Sequence, residues 1–174
     1  MDPEFSDTKP SASIAKLPLA AAIVALVGIA DAVYLTVHHY TTEPVPCSII
    51  EGCEQVLTSQ WAEIGGIANA LFGSASALPE TLAHVPLAAI GGIGYFIAFS
   101  LALLAAFGDS RMWKVFGVQS TIMVLVSAYL IYVQGALIGA FCQFCLLSAL
   151  TTLILFTIFI ISVVTSRKSS GTIA

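Results

Sequence analysis

Four long apolar stretches divide this chain, and polar segments separate them. A helix rises about 1.5 Å per residue and the hydrocarbon core of a bilayer is about 30 Å thick, so a span needs about 20 residues. The pattern predicts spans over residues 17–40, 85–107, 112–134 and 141–165. We therefore expect an all-α integral membrane protein built as a four-transmembrane-helix bundle.

The segments outside the spans differ in character. Residues 1–13 are polar and aperiodic, which predicts a disordered segment, and its first five residues (Met1-Asp2-Pro3-Glu4-Phe5) are typical of a cloning remnant. Residues 14–168 are predicted to form the membrane domain. Residues 169–174 are expected to be a frayed tail.

One long connection, residues 41–83, joins the first two predicted spans. Residues 54–61 have helical composition, whereas residues 64–78 are apolar but short and are interrupted by three glycines. We predict that this second part lies along the membrane interface as a short helix and does not form a fifth span.

Charge supports this count of spans and predicts an orientation. Hydrophobic residues make up 58% of the chain and charged residues only 9%, against about 25% charged residues in soluble domains. With four spans, all the basic residues fall on one face: Lys9, Lys16, Arg111, Lys114, Arg167 and Lys168. The positive-inside rule assigns that face to the cytoplasm, so both termini are predicted to be cytoplasmic and the long connection extracytoplasmic. The basic residues form no patch, so nucleic acid is not an expected partner.

The chain has four cysteines, and they form two close pairs. Cys47 and Cys53 lie in the long connection, and Cys142 and Cys145 open the fourth span with Cys-x-x-Cys spacing. A lone cysteine in a membrane helix carries little information, because cysteine also buries as a small apolar residue. Two pairs at one end of the bundle, outside the cytoplasm where disulfides persist, favour thiol–disulfide chemistry. A helix N-terminus stabilises a thiolate, which favours Cys142 as the more reactive thiol.

Asp31 is an ionisable residue within the first predicted span. Such residues are costly in a bilayer and usually face protein. The one Lys or Arg inside a predicted span is Lys114, at the cytoplasmic end of the third span, so no Lys or Arg is predicted near Asp31 in the outer half of the first. A functional role and a role as a neutral or hydrogen-bonded packing residue both remain open.

The order of these motifs resembles the vitamin K epoxide reductase family, over residues 17–165. The resemblance includes Cys47 and Cys53 after the first span, Ser59 six residues beyond Cys53, and the motif Cys142-Gln143-Phe144-Cys145 opening the last span. Residues 28–36 and 85–87 are more similar to the bacterial members, and we expect a homologue without a fused thioredoxin domain.

The resemblance implies an activity. Electrons would pass from a thioredoxin-like (DsbA-like) extracytoplasmic protein through Cys47 and Cys53 to Cys142 and Cys145, and then to a quinone of ubiquinone, menaquinone or vitamin K type. The net reaction would form a disulfide and a quinol at the outer face of a bacterial inner membrane. The candidate quinone contacts are Asp31, Ser59 and the two residues that flank Cys145 in sequence, Phe144 and Leu146.

Three alternatives remain at this point. In the first, the four cysteines form a zinc site in a non-catalytic membrane protein, although structural zinc favours closer pairs on a polar loop. In the second, they form two structural disulfides that only stabilise the bundle. In the third, the chain is an epoxide-reducing member of the family, although Ala149 stands where animal members carry the tyrosine associated with the epoxide.

Overall fold

The computed structural model describes residues 16–41, 45–47, 52–73 and 79–170. The predicted disordered segment 1–13, residues 74–78 of the predicted interfacial segment, and residues 171–174 of the predicted tail lie outside this range. The helices are α1 (Lys16–Thr41), α2 (Cys53–Leu57), α3 (Ile64–Phe72), α4 (Glu80–Ala83), α5 (Leu87–Ala106), α6 (Ser110–Val133) and α7 (Gln143–Ser170).

Four of these helices are long and apolar enough to cross a membrane, namely α1, α5, α6 and α7. This confirms the prediction of an all-α four-helix membrane bundle. Helix α3 has nine residues, far fewer than the roughly 20 that a span needs, so it does not add a fifth crossing.

Two helix ends differ by more than two residues from the ends of the predicted spans. Helix α6 does not give way to a turn after residue 134 but continues as a π-helical turn over Gln134–Ile138. The carbonyl of Gln134 accepts the N–H of Gly139 at 2.9 Å, which is the wider hydrogen-bond spacing of a π-helix. Helix α7 begins at Gln143 and runs to Ser170, beyond the predicted end at residue 165.

Small residues let the helices of the core approach closely. Ala21 and Ala25 of α1 and Ala98 and Ala102 of α5 are each buried to 0% exposure. Gly28 lies directly against the ring of Tyr95, where the carbon of any larger side chain would overlap that ring. The exposed faces of the long helices carry large apolar side chains, as expected of surfaces that contact lipid.

Short helices cover the end of the bundle that carries the cysteines, which we call the cysteine end. Helices α2 and α3, which are joined by a 3₁₀ turn over Gln60–Ala62, form this cover. Glu63 ties this cover to the bundle, because its carboxylate lies 3.6 Å from His39 Nε2 at the end of α1 and 3.1 Å from His84 Nδ1 near the start of α5. The N–H of Ile64 donates to the carbonyl of Val85 at 3.2 Å. These contacts hold the cover over the cysteine end of the bundle.

Candidate redox site

The loop pair consists of Cys47 and Cys53. The two residues are joined by a disulfide, with their Cα atoms 6.3 Å apart. Cys53 is the first residue of α2 and is only 1% exposed, whereas Cys47 is half-buried. A molecule that approaches from outside therefore reaches the sulfur of Cys47 before that of Cys53.

The helical pair consists of Cys142 and Cys145, and both are free thiols. Cys142 comes immediately before the first residue of α7, in the N-cap position, and is 0% exposed. Its Sγ accepts the backbone N–H of Cys145 at 3.5 Å. A sulfur at a helix N-terminus is stabilised in the thiolate form by such N–H groups and by the helix dipole.

The two pairs meet in one apolar cluster. Its buried members are Cys53, Val56, Ala140 and Cys142, and both Cys47 and Cys145 pack against it. A hydrogen bond also connects the two regions, because Gln143 Nε2 donates to the carbonyl of Pro46 at 3.4 Å. The disulfide of the loop pair therefore lies beside the first turn of α7.

Gly52 makes this approach possible. Its Cα faces the chain just before the helical pair, where an added Cβ would lie 2.9 Å from the carbonyl oxygen of Phe141 and 3.2 Å from the Cβ of Ala140. Real Cβ atoms do not sit so close to a backbone oxygen, so any larger residue must push the loop away from α7.

A largely apolar cavity of about 300 Å³ lies below the cover and between the long helices. Cys145 lines this cavity, whereas Cys142 and Cys53 do not. The other polar side chains on its wall include Asp31, Ser59, Tyr95, Gln134, Ser148 and Thr152. Apolar walls with a few polar groups, at this volume, are typical of small-molecule sites.

The structure places the predicted quinone contacts in two groups. Asp31 and Ser59 line the cavity. Asp31 is buried, and neither of its carboxylate oxygens has a hydrogen-bond partner among the described residues. Phe144 and Leu146 are not among the lining residues, and the ring of Phe144 packs 5.0 Å from that of Tyr34 on α1.

Sequence analysis did not single out two further polar residues of this site. Tyr95 donates its hydroxyl to the carbonyl of Ser148 at 2.7 Å, one turn beyond Cys145 in α7. Gln134 accepts the N–H of Cys142 at its Oε1, at 2.9 Å. Two features of the sequence could have drawn attention to these residues. Tyr95 places a hydroxyl in a glycine-rich span, and Gln134 places an amide at the predicted end of a span.

The alternative of a zinc site predicts that the cysteine sulfurs lie together as separate metal ligands. Among the described residues, no group of three or more His, Cys, Asp or Glu side chains has an arrangement that could hold a metal ion. The sulfurs of Cys47 and Cys53 are bonded to each other, whereas zinc binds separate thiolates.

Four apolar helices that gather a disulfide and a dithiol at one end define a multi-pass membrane protein with a thiol–disulfide centre. Residues 19–160 match the model of the vitamin K epoxide reductase family, and the chain belongs to that family. Membership of this family indicates a membrane thiol oxidoreductase.

Proposed function

We propose that this protein passes electrons from a thioredoxin-like (DsbA-like) extracytoplasmic protein to a membrane quinone, and so supports disulfide bond formation. One observation carries the proposal: the four sulfurs follow an order of access. Cys47 is the more accessible sulfur of the loop pair, Cys53 and Cys142 are buried in one cluster, and Cys145 lines the cavity. The outer sulfur suits a protein partner, and the inner one suits a molecule dissolved in the membrane.

The first transfer is thiol–disulfide exchange at the loop pair. A thiolate of the reduced partner attacks Cys47, the bond between Cys47 and Cys53 breaks, and Cys53 leaves as a thiolate. The second thiol of the partner then displaces Cys47 and forms the partner's disulfide. The partner is oxidised, and the loop pair becomes a dithiol.

The second transfer moves the electron pair to α7. The thiolate of Cys53 attacks Cys142 in the disulfide of the helical pair, and Cys145 leaves as a thiolate. Cys47 then attacks Cys53 and releases Cys142. The loop pair is a disulfide again and the helical pair holds the electrons, which matches the bonding in the structure.

The last transfer reduces the quinone substrate. Two thiols and one quinone give one disulfide and one quinol, so two electrons and two protons leave the helical pair. The chain contributes position and polar contacts. Asp31 is the clearest candidate contact, because a buried carboxyl group without a partner in a span is costly unless a ligand satisfies it. Ser59 lines the same cavity, and its hydroxyl donates to the carbonyl of Val56 at 2.7 Å. The quinone is of ubiquinone, menaquinone or vitamin K type.

We place this reaction at the outer face of a bacterial inner membrane, with both termini in the cytoplasm. The basic residues on one predicted face support this orientation. After mild reduction of intact cells, a membrane-impermeant thiol reagent should label Cys47. Labelling that requires lysis of the cells would reverse the orientation.

Anaerobic mixing tests the function directly. The purified protein is combined with a reduced thioredoxin-like protein and a soluble quinone analogue, and quinol formation is followed by absorbance. We expect one partner disulfide for each quinol formed. Quinol formation that does not depend on this protein, or partner oxidation without quinol, would refute the proposal.

A further inference from the structure

Gln134 is a long polar side chain in an apolar environment, yet it is only 3% exposed. Burying an amide is costly unless it forms hydrogen bonds. Its Oε1 accepts the backbone N–H of Cys142 at 2.9 Å. Because that donor is an N–H, the amide must present its oxygen to it, and the orientation of the amide is therefore defined.

The main chain of Gln134 serves the same connection. Its carbonyl accepts the N–H of Gly139 at 2.9 Å and the N–H of Ala140 at 3.2 Å. Gln134 thus accepts hydrogen bonds from three N–H groups between α6 and α7, those of Gly139, Ala140 and Cys142. The π-helical turn is the backbone arrangement that permits this, and such turns are frequent at functional sites.

The arrangement corresponds to a capping box that is divided between two helices. In an ordinary capping box the N-cap side chain accepts the N–H of residue N3, and the side chain of N3 accepts the N–H of the N-cap residue. Here Cys142 is the N-cap residue and its sulfur accepts the N–H of Cys145, which is N3. Cys145 faces the cavity and its side chain lacks the oxygen that this second bond needs. Gln134 supplies that oxygen from the preceding helix.

We infer that Gln134 is a positioning residue that completes this divided capping box and holds the sulfur of Cys142 against Cys53. The inference rests on the proposed electron path, since it is the bond between Cys53 and Cys142 that Gln134 would favour. It requires no contact between Gln134 and the quinone.

The test uses the Cys145→Ala background, in which the helical pair cannot re-form. The thiolate of Cys142 then attacks Cys53, a bond between their sulfurs forms, and Cys47 leaves as a thiolate, so no added oxidant is needed. After acid quenching and alkylation, mass spectrometry gives the ratio of the Cys53–Cys142 bond to the Cys47–Cys53 bond at equilibrium.

Gln134→Met keeps the length of the side chain but removes its acceptor. We expect it to lower this ratio about fivefold, as the loss of one buried hydrogen bond implies. Gln134→Glu keeps an acceptor oxygen and should restore the ratio to within about twofold. Thr121→Val is the control, because Thr121 lies on α6 outside the cavity wall and, among the described residues, its hydroxyl donates to the carbonyl of Gly117 alone.

An unchanged ratio in Gln134→Met would overturn the inference, and so would an equal loss in Gln134→Glu. If Gln134→Met does not fold, Gln134→Asn replaces it, because it keeps the amide but withdraws the oxygen, and the same fall is expected. If the Cys145→Ala parent contains no Cys53–Cys142 bond, the proposed electron path is wrong. Hydrogen exchange then tests the anchor separately: the Cys142 amide should exchange faster in Gln134→Met than in the parent, and an unchanged rate would refute it.

Discussion

Each cysteine pair has one member buried in the shared apolar cluster, but the other member differs between the pairs, because Cys47 is half-buried in the loop and Cys145 lines the cavity. The loop pair lies partly in the five-residue helix α2, and its Cys47 is accessible. The helical pair opens the 28-residue helix α7, where Cys142 is fully buried and anchored by Gln134. On the proposed electron path, this difference in access is what gives each pair a different redox partner.

Cys145→Ala should produce the largest effect, because Cys145 is the one cysteine among the described residues that line the cavity. With a small dithiol as reductant, quinone reduction should fall to the uncatalysed background. The partner should still be oxidised once, by the single disulfide that the variant retains, as measured by the partner's disulfide content. A variant that still turns over quinone would show that Cys142 or another group faces the acceptor.

Cys47→Ala should show which reductant needs the loop pair to deliver its electrons. Quinol formation driven by the protein partner should stop, whereas a small dithiol that reaches the helical pair directly should still support it. Thr58→Ala is the matched control, since Thr58 is exposed and, within the part of the chain that the structure describes, its hydroxyl donates only to the carbonyl of Glu54 in α2. Retention of partner-driven turnover in Cys47→Ala would mean that the partner reacts at another sulfur.

Gly52→Val should weaken the contact between the pairs without removing a sulfur. The added side chain overlaps the backbone at Phe141, and overpacking of this kind costs about 1–3 kcal/mol. We expect partner-driven quinol formation to fall about tenfold, while dithiol-driven turnover stays near that of the parent. Equal losses in both assays would show that Gly52 supports the fold in general rather than the approach of the two pairs.

Tyr95→Phe should have the smallest effect, because it removes one hydroxyl below the helical pair. The lost hydrogen bond to Ser148 is worth about 1 kcal/mol, which corresponds to a fall of about 3 °C in the melting midpoint in detergent. Ser100→Ala removes a hydroxyl whose one bond among the described residues is to the carbonyl of Phe96 in the same helix, and it should leave the midpoint unchanged. Equal midpoints for Tyr95→Phe and the parent would show that the bond does not stabilise the bundle.

The sequence was sufficient for the class and the main architecture. Hydropathy has a direct physical cause in the thickness of the bilayer, so four spans followed from the lengths of the apolar stretches alone. The paired cysteines were equally visible, because their spacing is local and their number is small. The family that these motifs resembled is the one whose model the chain matches.

The sequence predicted only some of the residues that line the cavity. Asp31 was visible because a carboxyl group in a span is rare, and the structure places it on the wall. Phe144 and Leu146 were chosen for their nearness to Cys145 in sequence, yet they lie off that wall. Neighbours along a helix point in different directions, so sequence proximity to a cavity-lining residue does not predict which side chains share its cavity.

Tertiary structure alone decided how the pairs meet and what holds them. The hydrogen bond from Cys142 to Gln134 spans eight residues, and the contact of Gly52 with Phe141 joins segments almost ninety residues apart. Hydropathy reports whether a side chain prefers lipid or water. The residues of these contacts could be equally well buried in many different packings of the helices, so hydropathy does not select among them. Only the packing of α6, α7 and the cover selects one arrangement, because close contacts and hydrogen bonds depend on distances that no pattern along the chain contains.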